Sequence, residues 1–314
     1  MIEQYGAIAR RQAPVNGETD MFDANDVEVI PLGEACGAEI RGVDLKKELS
    51  DEVVAKIQQA WNDHLVLCVR GQDLTQEDQL RFAARFGPLG ARKQAPEPLR
   101  ERSEGVWQLD PKILLVSNIK VDGIPVGAFG DGDMWFHIDS GYSERPYKYT
   151  FLYGVELPNE GGNTLFSNMY KAYEALPEEL KRKLAGRKAL HIHEYKRSEK
   201  VDLSTDISAV PHWFHPVFIT HPYTRKKALF VDRLMTARLE GFSNAESDEI
   251  LAQLYEIGES RQFIYEHKWQ HGDLIMWDNL ALIHARTDFP REQRRLMRRC
   301  TVEGTPVYEN LEQA

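Results

Sequence analysis

The sequence predicts a mainly β architecture, a sandwich or jelly roll with flanking helices, and three observations carry that prediction. Short apolar runs rich in β-branched and aromatic residues recur through the chain from Ile113 onward. Gly, Pro and Asn separate them. Only a few stretches show the 3.6-residue apolar period, and no regular strand–helix alternation of a doubly wound sheet is present.

The elements follow in order. Residues 1–25 are polar and unpatterned and read as a loose N-terminal arm; residues 26–314 read as one domain with helical and loop insertions, since no convincing linker divides them. Val27-Glu28-Val29-Ile30 alternates as a strand and Pro31-Leu32-Gly33 closes it. Ser50 caps a helix over Asp51 to Trp61, where Val53, Val54, Ile57 and Trp61 recur at helical spacing. Leu65 to Val69 is a buried strand by length and branching. Thr75 starts a second helix that ends at Phe86-Gly87-Pro88. Strands are then expected at Ile113 to Val116, Tyr147 to Leu157, Thr164 to Phe166, Arg187 to His193, Phe214 to Thr220, Ala228 to Val231, Phe263 to Trp269, Leu274 to Trp277 and Arg295 to Val302. Two helical stretches interrupt them: Met169 to Leu184, with Pro177 starting its second half, and Ala245 to Ile257.

Composition narrows the function classes. With 39 Lys+Arg against 49 Asp+Glu the chain carries a formal charge of −10, a poor balance for wrapping DNA, which needs a basic face. At 42% apolar residues the chain has material for a large core and lacks the signature of disorder. No run approaches the ~20 apolar residues of a membrane span. Arg10-Arg11 is not followed by the apolar stretch that a twin-arginine signal needs. Cys36, Cys68 and Cys300 form no disulfide framework and no C-x-x-C pair, so a reduced, cytoplasmic protein is expected.

Three features bear on chemistry. Trp135-Phe136-His137-Ile138-Asp139 places an imidazole and a carboxylate two apart, on one face of a strand, where they could share a divalent metal. Taken alone, H-x-D is more often a hydrogen-bonded surface pair. His284, after the strand–turn–strand pattern that begins at Trp277-Asp278-Asn279, would complete two histidines and one carboxylate. That facial triad marks non-haem Fe(II) oxygenases; a lone histidine there is more often a satisfied core residue. Arg294 to Val302 reads as a strand despite four arginines. Alternation puts Arg295, Met297, Arg299 and Thr301 on one face and Arg294, Leu296, Arg298 and Cys300 on the other. A buried guanidinium needs a counter-ion, and a bound dianion would supply one through bidentate bonds. The bland alternative is a solvated basic edge strand.

In combination these features are specific. H-x-D, a histidine 145 residues after Asp139 and an arginine 11 residues after that histidine resemble the taurine dioxygenase / 2,4-dichlorophenoxyacetate dioxygenase family. The likeness runs from about Val27 to Glu303. It includes Gly37 to Asp44, Arg85-Phe86-Gly87, Glu160 to Phe166, His215-Pro216-Val217, His221-Pro222, Lys227 to Val231 and Gly272-Asp273-Leu274. The resemblance implies a double-stranded β-helix of the clavaminate-synthase-like kind and a dioxygenase using Fe(II), 2-oxoglutarate and O2. It implies that His137, Asp139 and His284 hold the iron, that Arg295 and Thr164 bind the distal carboxylate of 2-oxoglutarate, and that Arg299 meets the acid group of a substrate. A small carboxylate or sulfonate would be hydroxylated, with or without C–O, C–N or C–S cleavage, and succinate and CO2 released. Asp139 leaves no ligand position for halide, so halogenation is not expected. Arg92, Asp133 and Leu234-Met235 stand where taurine-using members carry other substrate contacts, which points to an anion with a larger apolar part. The family also implies a dimer or tetramer.

Two further readings stay open on the residues alone. One is a jelly-roll anion-binding protein without catalysis. The other is a cupin-type metal site at His191 and His193, which share a strand face. His215 and His221 read as structural or pocket-edge residues, and His64, His212, His267 and His271 as ordinary loop or surface histidines. The polar, patternless stretches Ala95 to Leu109 and Ser198 to Pro211 read as lids.

Overall fold

The computed structural model describes residues 24–91, 109–193, 203 and 206–313. Most of the expected N-terminal arm, Arg92, nearly all of the first expected lid and half of the second lie outside the described residues. Within them, two antiparallel-rich sheets face each other. The larger has seven strands in the order β1 (Glu28–Pro31), β2 (Ala38–Arg41), β3 (Val66–Val69), β16 (Leu274–Asp278), β8 (Tyr149–Glu156), β18 (Leu296–Val302) and β4 (Leu114–Ser117). The smaller has the order β15 (Ile264–His267), β9 (Thr164–Asn168), β17 (Leu282–Arg286) and β7 (Met134–His137). Two hairpins, β5–β6 (Lys120–Val121, Ile124–Pro125) and β12–β13 (Phe218–Thr220, Lys227–Leu229), and a three-stranded sheet of β11 (His212–Pro216), β10 (Lys188–Ile192) and β14 (Thr236–Leu239) complete the β structure. The fold is a jelly roll, the double-stranded β-helix.

Alternation along the strands of the large sheet divides its side chains between two cores. Val66, Cys68, Leu152, Ile275, Trp277 and Met297 pack in the core shared with the small sheet. Leu67, Val69, Phe151, Tyr153, Met276 and Cys300 pack on the opposite face. There they meet α1 (Asp51–His64) and α2 (Gln76–Ala83), whose Val53, Ile57, Trp61 and Phe82 form one buried side. The capping residues are those the sequence marks. Ser50 accepts from Val53 N, and Thr75 forms a capping box with Asp78. Pro177 divides the helical stretch after β9 into α3 (Met169–Ala175) and α4 (Glu178–Leu184), and α5 (Asn244–Gly258) carries a second capping box at Ser243.

Some expectations are corrected. Phe214 to Thr220 is two strands rather than one, broken at Val217 because the first pairs with β10 and the second with β13. The strands Ala38–Arg41 and Thr236–Leu239 carry no apolar run and were not expected. His267 is fully buried rather than a surface histidine, because Asp273 and Tyr265 satisfy both ring nitrogens inside the core.

Candidate metal and 2-oxoglutarate site

Three adjacent strand segments bring the expected ligands together. His284 in β17 stands in direct register with His137 in β7, and with Phe166 in β9 on its other side. The two imidazole centroids are 4.1 Å apart. β7 ends at His137, so Asp139 projects from the turn that follows rather than from strand alternation. Ser140, with φ 61°, holds the left-handed conformation in that turn. Donor atoms of His137, Asp139 and His284 all lie within 4.8 Å of one another, and all three residues are buried.

The local hydrogen bonds prepare these groups for a cation. His137 Nδ1 lies 2.9 Å from the Trp135 carbonyl, so that nitrogen carries the proton and donates it, and Nε2 keeps its lone pair. Burial, and then the neighbouring His137, hold His284 well below the ordinary imidazole range, so it is neutral at pH 7. Burial works to raise the Asp139 carboxyl, but Arg299, His284 and His137 outweigh it and leave the group below its usual range. Arg299 Nη2 approaches Asp139 Oδ1 at 2.7 Å. His284 Nδ1 is buried with no hydrogen-bond partner among the described residues. Two neutral imidazoles and one carboxylate are the donor set that octahedral Fe(II) accepts while keeping open positions.

A cavity opens on these ligands. Arg295 lines it and is itself 2% exposed. Its Nε and Nη1 have no partner among the described residues, and Nη2 reaches only the Gly162 carbonyl at 3.5 Å. Burial, and then the nearby Arg286, push its guanidinium down to about 9. An uncompensated buried cation of this kind is destabilising until an anion reaches it. Thr164, buried on the same wall, accepts from Trp269 Nε1 at 3.0 Å, which leaves its own hydroxyl proton for a ligand. Arg295, Met297 and Arg299 do take one side of their strand, as alternation indicates. On the opposite side Arg294, just before the strand, is exposed and paired with Glu156, but Arg298 is buried over the Tyr153 ring and donates to the Leu74 carbonyl, and the strand lies between β8 and β4. The solvated edge strand is therefore excluded.

The remaining expected positions are more distant. Asp133 is exposed in the loop before β7. Met235 is buried with Met134 and Leu234. Neither Asp133 nor Met235 lines the cavity, although Met134 does. His191 is buried beside Thr236 and Asp232, with Nδ1 at 3.3 and 3.6 Å from them. It belongs to no three-donor group among the described residues. Residues not singled out from sequence include Phe129, Val116 and Leu152 on the cavity wall, and Arg286. Arg286 ties the Phe129 and Gly132 carbonyls to β17. Their signal is weak, because an apolar strand residue such as Val116 or Leu152 reads as core, and a lone Phe129 in a loop or Arg286 at a strand end carries no pattern.

Comparison with known proteins agrees with this geometry. Residues 28–301 match the model of the family described as taurine catabolism dioxygenase TauD, TfdA family. Pentalenolactone F synthase of Streptomyces avermitilis is 33% identical over 89% of this chain and 94% of its own length. The alpha-ketoglutarate-dependent 2,4-dichlorophenoxyacetate dioxygenase of Cupriavidus pinatubonensis is 33% identical over 86% and 96%. Among solved structures, a putative taurine dioxygenase from Burkholderia xenovorans superposes with TM-score 0.75 at 27% identity, covering 90% of this chain and 94% of that one. AAD-2 in complex with Mn(II) and N-oxalylglycine gives 0.73 at 28%, covering 90% and 99%. A jelly roll with two histidines and an aspartate on a buried cavity, matched over nearly its whole described length, places the chain in the TauD/TfdA family.

Proposed function

We propose that this chain is an Fe(II)- and 2-oxoglutarate-dependent dioxygenase whose iron is held by His137, Asp139 and His284. The observation that carries the assignment of residues is the pairing of this buried three-donor cluster, on one cavity, with the buried guanidinium of Arg295, whose Nε and Nη1 have no partner among the described residues. When bound, Fe(II) with O2 supplies oxidation of an unactivated C–H coupled to decarboxylation of 2-oxoglutarate to succinate and CO2. Arg295 would take the distal carboxylate of 2-oxoglutarate, with Thr164 donating its hydroxyl to the same end. Arg299 would meet the acid group of the substrate. Its Nε is buried without a partner among the described residues, and its Nη2 balances Asp139. The rest of the protein's task is to place the target carbon and keep water out. Phe129, Met134, Val116 and Leu152 supply an apolar wall for that purpose.

The substrate class follows from those walls. A small carboxylate or sulfonate with an apolar body satisfies both Arg299 and the wall, and the relatives named for 2,4-dichlorophenoxyacetate and (S)-phenoxypropionate support such a molecule. Arg92, Asp133 and Met235 remain proposed outer contacts. No helix among the described residues is long and apolar enough to cross a membrane. The reading also takes residues 26–314 as one catalytic domain, in a cytoplasmic dimer or tetramer with a small-molecule partner and no nucleic acid.

The test is an anaerobic titration of metal-stripped protein with Fe(II) and then 2-oxoglutarate. A weak visible charge-transfer band that needs both components is expected, followed by succinate release in the presence of aryl or alkyl acids. Folded protein that gives no such band would sink the assignment.

A further inference from the structure

Asp139 is the anionic member of the proposed metal site, and its two oxygens have different surroundings. Oδ1 takes Arg299 Nη2 at 2.7 Å. Oδ2 accepts the Thr150 hydroxyl at 2.7 Å and lies 3.8 Å from His284 Nε2. The last torsion of an aspartate is broad, so a carboxylate plane is not fixed by its own covalent geometry. Contacts on both oxygens fix it.

The Thr150 contact is the end of a longer chain. Asn279 Nδ2 lies 2.9 Å from Thr150 Oγ1, and Trp277 Nε1 lies 2.9 Å from Asn279 Oδ1. The direction of every bond is forced. An indole N–H can only donate, so Asn279 must turn its oxygen to Trp277 and its amide nitrogen to Thr150. The Thr150 oxygen therefore accepts, and its single proton goes to the carboxylate, which can only accept. Thr150 and Asn279 are fully buried and Trp277 nearly so, which removes competing water. The backbone holds the same residues in place. Trp277 stands in register with Thr150 between β16 and β8, and β18 closes the other side of Thr150 through Thr301. The Trp277 ring also packs 4.7 Å from the His284 ring.

We propose that Trp277, Asn279 and Thr150 are positioning residues for the metal: a one-way hydrogen-bond relay that sets the plane of the Asp139 carboxylate against the two imidazoles. The proposal rests on the reading of His137, Asp139 and His284 as the metal site. It assigns Thr150 and Asn279 a role in metal affinity although neither touches the cation. Outer partners of metal ligands commonly account for about 10- to 100-fold in affinity.

The test uses the full chain and Co(II), bound anaerobically in competition with a colorimetric chelator, with the visible Co(II) bands recorded for each complex. Thr150→Val removes the donor at nearly constant volume and should weaken Co(II) binding about tenfold or more. Thr150→Ser keeps the hydroxyl and should restore both the affinity and the wild-type bands, which a role in packing alone would not do. Asn279→Ala should also weaken binding, and the double variant Thr150→Val/Asn279→Ala should bind no more weakly than Thr150→Val alone, since both remove one relay. Folded Thr150→Val or Asn279→Ala protein with wild-type affinity overturns the relay, as does full additivity in the double variant. If Thr150→Val does not fold, Asn279→Ala and Thr150→Ser decide the matter. Wild-type protein that binds no Co(II) would instead overturn the metal-site reading itself.

Discussion

Among the described residues two buried three-donor clusters combine histidine and aspartate, and their hydrogen bonding sets them apart. His137, Asp139 and His284 lie between β7 and β17; Cys68, His267 and Asp273 lie where β3, β16 and β15 meet. Each puts three donor atoms within 4.8 Å. In the second cluster Asp273 Oδ2 takes Arg70 Nη1 at 2.8 Å, His267 Nε2 at 3.0 Å and Gln270 N at 2.9 Å, while Tyr265 hydroxyl closes His267 Nδ1 at 3.0 Å. Burial first, and Asp273 second, keep the Cys68 thiol protonated. A cation has no lone pair of His267 to take and would meet the Arg70 guanidinium. In the first cluster the arginine stands on one carboxylate oxygen, the threonine on the other, and imidazole nitrogens face a cavity. Asp273 Oδ1 is also without a partner among the described residues, so it is the free imidazole lone pairs, rather than residue types, that separate the proposed metal site from an ion-paired core network.

Substitutions can break or sharpen this contrast. The largest effect is expected from His137→Ala or His284→Ala, which should lower succinate formation about a thousandfold or more by removing iron. His267→Ala should leave the iron content per chain unchanged; loss of iron from His267→Ala would end the distinction between the clusters. Arg295→Gln should weaken 2-oxoglutarate binding about a hundredfold, the consequence of losing one partner of a buried charge pair. Isothermal titration with the Mn(II)-loaded protein measures this, and an unchanged dissociation constant would remove Arg295 from the co-substrate site. Asp273→Asn should cost about 2 kcal/mol of stability by removing the carboxylate that Arg70 and His267 share, leaving Arg70 with Glu39 at 3.5 Å, with metal affinity preserved. Denaturant unfolding together with Co(II) titration checks both halves.

A smaller effect concerns acid. Burial, and then the nearby His191, push His215 down to about 3, against carbonyl hydrogen bonds that favour its charged form. The unfolded chain takes up this proton near pH 6.5 while the folded chain does not. His215 therefore contributes full stability above about pH 6.5, and that contribution falls by roughly 1.4 kcal/mol per pH unit as pH drops toward 3. His215→Phe should flatten the melting-temperature profile between pH 6 and 4; an unchanged slope would show that other groups govern it.

Much of this was legible in the sequence for identifiable physical reasons. The capped helices at Ser50 and Thr75 and the apolar strands Val66–Val69 and Leu274–Asp278 carry their periods openly. The proposed iron ligands and Arg295 stand out because few folds place H-x-D, histidine and arginine in that order. What was hidden depends on tertiary closure. Asp139 reaches the site from a turn whose geometry no tripeptide reveals. Thr150 and Asn279 are ordinary strand and turn residues until β8 and β16 pair. His267 looks like any polar histidine in a half-apolar strand, and only the folded core shows Asp273 and Tyr265 on both sides of it.

The arginines of the last strand have a consequence for how the chain finds its native pairing. Arg294, Arg295, Arg298 and Arg299 occupy two adjacent doublets four residues apart. A strand that slipped by one residue in one direction would exchange Arg295 and Arg299 in the cavity for Arg294 and Arg298 and would still offer two guanidiniums, whereas a slip the other way would bring Leu296 and Cys300 there. Charge therefore rejects the second slip but cannot proofread the first. The discrimination falls to the residues between the doublets. Met297 fits the core shared by the sheets, and Leu296 and Cys300 fit the helix side. Gln79 from α2 adds a single check by donating to the Arg298 carbonyl at 3.0 Å. The strand that supplies the anion sites is thus its own nearest decoy, and a buried glutamine with three apolar side chains holds it in frame.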